Sequence, residues 1–288
     1  MSRTRSAERL LPPALSRAGT AVLVVFIAVP VLYLVALALS PNSTVALGGT
    51  DIGQFTSANF TSMWSVAPVL HGIITSVIVA GISAVLAVLL GVAAAYPLAR
   101  LSFRARKPLL YSLLGSQSLP QLSLLLPLYI MLAAIQGILG VHLIGSYPAL
   151  IAVYMTFGLP LATVVCFMYL RGMPADLEEA ALVDGCTRMG ALRRVVAPLL
   201  APAMVVSLVF AFLVGWNDVL FASALQNQTI AVTLEQFGMA QSEGFGAQPL
   251  YGDLMAAALV SAIPVVVLYL AFQRYLVHGL ASGALSGT

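Results

Sequence analysis

Six long apolar runs alternate with polar segments along this chain: Gly19–Ser40, Ile73–Ala99, Pro108–Ala134, Tyr147–Leu170, Leu199–Ser223 and Leu254–Phe272. A helix that crosses a bilayer needs about 20 predominantly apolar residues. None of the runs contains Lys or Arg, and only Asp218 places an acid inside one. Strands of a membrane barrel would alternate polar and apolar residues. These runs are apolar all round, and a helix satisfies its own backbone hydrogen bonds in lipid. The pattern predicts an all-α integral membrane protein with six transmembrane helices.

Composition agrees. The chain of 288 residues is 60% apolar and 8% charged, against roughly 25% charged in soluble domains. The cations fix an orientation. Arg3, Arg5, Arg9 and Arg17 precede the first run; Arg100, Arg104, Arg106 and Lys107 follow the second; Arg171, Arg188, Arg193 and Arg194 follow the fourth; Arg274 follows the sixth. The other three loops hold no cation, although Asp51, Glu235, Glu243 and Asp253 lie in or beside them. By the positive-inside rule both termini and the loop after the fourth run face the cytoplasm. The basic pI near 9.0 therefore reflects topology, and nucleic acid is not expected as a partner. The first run exceeds the roughly 7–15 residues of a signal-peptide core, so it reads as a retained span.

The expected organisation is a cytoplasmic segment 1–18, a six-helix membrane domain 19–272 and a cytoplasmic tail 273–288. The polar segments Pro41–Pro68 and Ala224–Gly252 are too short for independent domains, and the first is expected to hold a short surface helix or turn. Cys166 and Cys186 sit at different depths, and with His71, His142 and His278 scattered, no metal-ligand spacing is present.

The segment 173–198 interrupts the apolar pattern with charge. Asp176 followed by Glu179 reads as a capping box, behind Pro174. Glu178 and Glu179 fall in the first turn, where the helix dipole favours acids. Ala180, Ala181, Leu182 and Val183 make a short apolar surface. Gly185, after Asp184, permits a left-handed turn that ends the helix. Thr187–Val196, carrying Arg188, Arg193 and Arg194, reads as a second helix, and Pro198 and Pro202 mark re-entry into the membrane. Helix physics alone is equally compatible with an amphipathic loop lying at lipid headgroups.

The order Glu179-Ala180-Ala181, three residues, Gly185, nine residues, then Val195-x-Ala197-Pro198 resembles the EAA loop of ABC importer permeases. Pro127-Leu128-Tyr129, Leu159-Pro160, the Trp216-Asn217-Asp218 motif, Thr233-Leu234 and the tail from Gln273 to Ala284 are similar to the carbohydrate-uptake, MalG-like branch. Within it the likeness is strongest to trehalose importers of mycobacteria. It runs from about the second span to the C-terminus.

The resemblance implies a type I ABC importer permease fold in the bacterial plasma membrane, and a transport subunit rather than an enzyme. It implies a second permease, two ATPase subunits and an extracellular binding lipoprotein as partners, and a sugar as cargo. No cofactor is expected in this chain. It has no Gly-x-x-x-x-Gly-Lys-Ser/Thr motif, so ATP and Mg would be held by the ATPases. Glu178, Glu179, Ala180, Ala181, Asp184, Gly185, Arg188 and Pro198 are the expected coupling residues, with Glu179 as the charged contact.

For a sugar path, polar groups at membrane depth usually face the protein interior or a water-filled cavity. Gln117, Gln121, Tyr154, Trp216, Asn217 and Asp218 are the candidates, with Trp216 able to lie against a pyranose face. The same residues can instead bond helices to one another. Two other classes stay open on the residues alone. An ion-coupled secondary transporter would need intramembrane carboxylates, of which Asp218 is the sole candidate. A membrane scaffold would need no path at all. Within the ABC class, glycerol phosphate is an alternative cargo.

Overall fold

The computed structural model describes residues 13–46, 55–239 and 249–285. Asp51, Gln54 and Glu243, and the cations Arg3, Arg5 and Arg9, lie outside the described residues. Six described helices are long and apolar enough to cross a membrane. In chain order the helices are α1 (Pro13–Ala38), α2 (Asn42–Ala46), α3 (Ala58–Val66), α4 (Val69–Arg100), α5 (Arg106–Ser116), α6 (Gln121–Leu139), α7 (Tyr147–Gly172), α8 (Asp176–Val183), α9 (Arg188–Ala191), α10 (Ala197–Trp216), α11 (Leu220–Ala224), α12 (Ile230–Met239) and α13 (Tyr251–Leu285). The chain divides into two compact units, one of residues 1–67 and 236–260, the other of residues 68–235 and 261–288.

In the larger unit α4, α7 and α10 form the core. Near one end Thr75 on α4 is hydrogen-bonded to Tyr147 on α7 at 3.0 Å. At the other end Arg100 of α4 reaches the carbonyl of Met173, just past α7. The two helices therefore run in the same direction. α10 runs against them: Val196 and Leu200, at its start, pack with Leu98 and Leu170 at the ends of α4 and α7. The two basic stretches that follow α4 and α7 thus emerge at one end of this bundle. Close approach is set by small residues, which let backbones meet without a hydrophobic drive in lipid. A Cβ on Gly91 would lie 2.8 Å from Ala162 Cβ, and one on Gly215 would lie 2.7 Å from the Tyr154 ring.

In the smaller unit buried polar residues tie the elements together. Asn59 donates to the carbonyls of Ala38 and Ser40, at 2.8 Å each. Asn42 donates to Asp253 at 2.7 Å, and its side-chain oxygen accepts from Gly252 N at 2.7 Å. Ser62 donates to the other Asp253 oxygen. The expected surface helix between the first two spans is present as α2 and α3, and α12 lies in the corresponding later loop.

Two expected spans have different limits. The run Pro108–Ala134 is broken: α5 stops at Ser116 and α6 begins at Gln121. Pro120, with ψ 129, is extended, it lacks an N–H, and a proline disfavours helix at the residue before it. The third span is α6, which closes at Gly140 with φ 65. The run Leu199–Ser223 ends as a helix at Trp216, so Asp218 lies in the break before α11. In the other direction that helix is continuous back to Arg188. The tail shows no break at residue 273, since α13 runs on to Leu285.

Candidate functional site

The charged segment folds as a helix, a tight turn and a second helix. No capping box forms. Ala175, at φ −70 and ψ −25, is already helical and has no side-chain cap. Its carbonyl accepts from Glu178 N at 2.9 Å and Glu179 N at 3.1 Å. Asp176 consequently sits one step too far inside the helix to cap it, and contributes charge at the positive end of the dipole instead. Gly185, at φ 87, makes the left-handed turn that other residues adopt only with strain. Cys186 N then reaches back to Ala181 O at 3.0 Å.

Thr187 caps α9 by accepting from Gly190 N at 3.1 Å. Residues 192–196 form a π-turn rather than the end of a separate helix, and Ala197 N bonds to Leu192 O. Pro198 explains this: it has no N–H, and its ring crowds the carbonyl four residues back. The π-turn carries the chain past it without a break.

The segment presents two faces. Glu178 and Ala181 are buried, while Glu179, Ala180, Asp184, Gly185, Arg188 and Pro198 are exposed. Glu178, one of the expected coupling residues, is thus turned inward while Glu179 is not. One of the Glu178 oxygens lies 3.2 Å from Arg100 Nε as an ion pair, without the alignment of a hydrogen bond. The other accepts from the Tyr96 hydroxyl. Arg100 also directs both terminal nitrogens at Met173 O, at 3.3 Å each.

The expected path residues separate into two groups. Gln121 and Asn217 line a cavity of ≈420 Å³ with Phe210, Leu213 and Val214. Asn217 and Trp216 line a second, of ≈560 Å³, against Ile230, Leu234 and Val265. Trp216 is mostly buried and stacks on Phe212 with centroids 5.4 Å apart. Asp218 also borders the first cavity, but its carboxylate is occupied. It accepts from Phe221 N at 3.3 Å and Ala222 N at 3.0 Å, and from the Tyr154 hydroxyl at 3.0 Å. Burial pushes the Asp218 carboxyl above its usual range, while these donors pull it back. Tyr154 and Asp218, both expected along the sugar path, are thus hydrogen-bonded to each other and hold α7 to α11. Gln117 joins neither cavity; it is exposed and donates to Phe157 O at 3.3 Å. Among the described residues no cluster of His, Cys, Asp and Glu has metal-binding geometry.

Residues 87–282, spanning the EAA segment and both cavities, match the family described as binding-protein-dependent transport system inner membrane component. The chain belongs to this family. The permease is 37% identical to the trehalose transport system permease protein SugB of Mycobacterium tuberculosis, over 90% of this chain and 92% of that one. It is 35% identical to the sulfoquinovosyl glycerol transport system permease protein SmoH of Agrobacterium fabrum, over 81% and 79%. It is 29% identical to the trehalose/maltose permease MalG of Thermococcus litoralis, over 97% and 99%. Its fold matches a bacterial ABC transporter involved in alginate import, with a TM-score of 0.71, 15% identity and coverage of 91% and 95%.

Membership makes the permease a multi-pass inner-membrane transport subunit rather than an enzyme, and implies an ATPase and a substrate-binding protein as partners. Sequence reasoning missed the part of Tyr96 and Arg100. The available signal was their spacing of four on the last turn of α4, which puts both on one helix face.

Proposed function

We propose that the permease forms half of the translocation path of an ATP-driven sugar importer, with a disaccharide such as trehalose as its cargo. The segment 173–198 is the part that engages an ATPase subunit. One observation carries the reading: Glu179, Ala180, Asp184 and Arg188 are exposed on a compact projection whose second half continues without interruption into α10. An acid, a small residue that permits close approach, and a basic residue face outward together. The positive-inside pattern supports a cytoplasmic position for the projection and both termini. The complete complex is then this chain, a second permease, two ATPase subunits holding ATP and Mg, and an external binding lipoprotein.

Two packings of the spans that differ by a few kcal/mol would supply alternating access. Asn217 and Trp216, with Gln121, are the groups placed to meet a sugar, in cavities within the range usual for small-molecule sites. Trehalose is supported by the 37% identical relative.

The test uses the assembled complex in proteoliposomes. Glu179→Lys and Gly185→Asp should reduce sugar uptake at least about tenfold while membrane insertion stays normal; tenfold corresponds to 1.4 kcal/mol. Wild-type uptake in both variants would remove the coupling assignment. ATPase stimulation across a panel of sugars, each with the binding protein present, should be largest for trehalose. A larger response to another sugar would replace it as the cargo.

A further inference from the structure

We infer that Arg100, Tyr96 and Glu178 form a latch that makes α8 move as one body with the end of α4, so that displacement of the projection reaches the α4–α7 pair directly. This rests on the coupling reading above and names positioning residues within it.

Four observations converge. First, the only chain connections of the projection are to α7 before it and to α10 after it, so covalent structure alone offers α8 no link to α4. Second, both oxygens of the Glu178 carboxylate are taken up by α4, one by Arg100 and one by Tyr96. Third, Arg100 is forked: beside its contact to Glu178 it donates through both terminal nitrogens to Met173 O, the first carbonyl past α7. A single guanidinium thus joins α4, the end of α7 and α8. Fourth, the Arg100 and Glu178 side chains are only 13% and 10% exposed. Water therefore competes weakly, and removing one partner strands the other as a buried charge. A planar, multidentate guanidinium suits this three-way contact in a way an ammonium does not.

The same residues explain why two adjacent acids have different duties. Glu178 and Glu179 are neighbours on a helix and cannot share a face. Glu179 faces out and Glu178 faces in.

The experiment measures uptake per ATP hydrolysed in the reconstituted complex, together with co-purification of the ATPase. Arg100→Gln should retain the ATPase but lower uptake per ATP at least about tenfold, a change of 1.4 kcal/mol in coupling. Arg100→Lys should recover only part of it. In a background without Cys166 and Cys186, Tyr96→Cys with Glu178→Cys should be poorly coupled. Bridging the two thiols with a short bifunctional reagent should restore uptake, because the latch is meant to stay shut throughout the cycle. Wild-type uptake per ATP in Arg100→Gln overturns the latch, as does loss of uptake on bridging. Glu179→Lys separates the two readings: if it retains both the ATPase and uptake, the coupling assignment itself fails, whatever the latch variants do.

Discussion

Asp218 illustrates how a residue's neighbours decide its work. In the sequence it is the one acid inside an apolar run, next to a Trp and an Asn, and it reads as a path residue. In the structure it sits just past the end of α10 and accepts from Tyr154, Phe221 and Ala222. Asp218→Ala would leave a buried hydroxyl and two backbone N–H groups unpaired, at about 1–3 kcal/mol for each group. The expected outcome is a clear drop in the thermal midpoint of the purified complex, partly recovered by Asp218→Asn. An unchanged midpoint would show that the carboxylate is dispensable to the packing. Residue type was legible here and partnership was not, because the partners lie 64 positions away on α7 and within the next turn. Glu178 repeats the lesson, since nothing in Glu178-Glu179 as a string says which acid turns inward.

At the scale of elements, the existence of six spans was legible and some of their ends were not. Apolar length identifies a span, but the break at Pro120 and the end at Trp216 depend on local backbone chemistry that a hydropathy run smooths over. The packing face of each helix was also hidden, because runs that are apolar all round carry no facing signal. It emerges from small residues instead. At Gly91 a Cβ would meet Ala162 Cβ at 2.8 Å and two backbone atoms of residues 162 and 163 at 3.1 Å. Backbone cannot swing aside, so Gly91→Val should force α4 and α7 apart and destabilise the permease by about 1–3 kcal/mol. Lower yield of intact complex and a reduced melting temperature are the expected readouts, and normal values for both would contradict the close packing.

For the molecule as a whole, sidedness is an expectation that rests on the charge pattern, because cations strongly resist crossing. The packing of α4, α7 and α10 brings the basic stretches after α4 and α7 to one end of that bundle, in keeping with the charge pattern. In a background without Cys166 and Cys186, Thr187→Cys should react with a membrane-impermeant thiol reagent only in inside-out vesicles. Thr61→Cys should react only in right-side-out ones. The reverse pattern would invert the topology. From Arg188 to Trp216 the helix is a single body of 29 residues, about 43 Å at a rise of 1.5 Å per residue. A rod of that length acts as a lever, with the π-turn at 192–196 close to its charged end. Tilting its charged end by about 5° sweeps the opposite end through about 4 Å by the same rise, roughly the width of a water molecule and its contacts. On the coupling reading proposed above, that travel falls at Trp216, which borders the larger cavity, and at Asn217, which borders both.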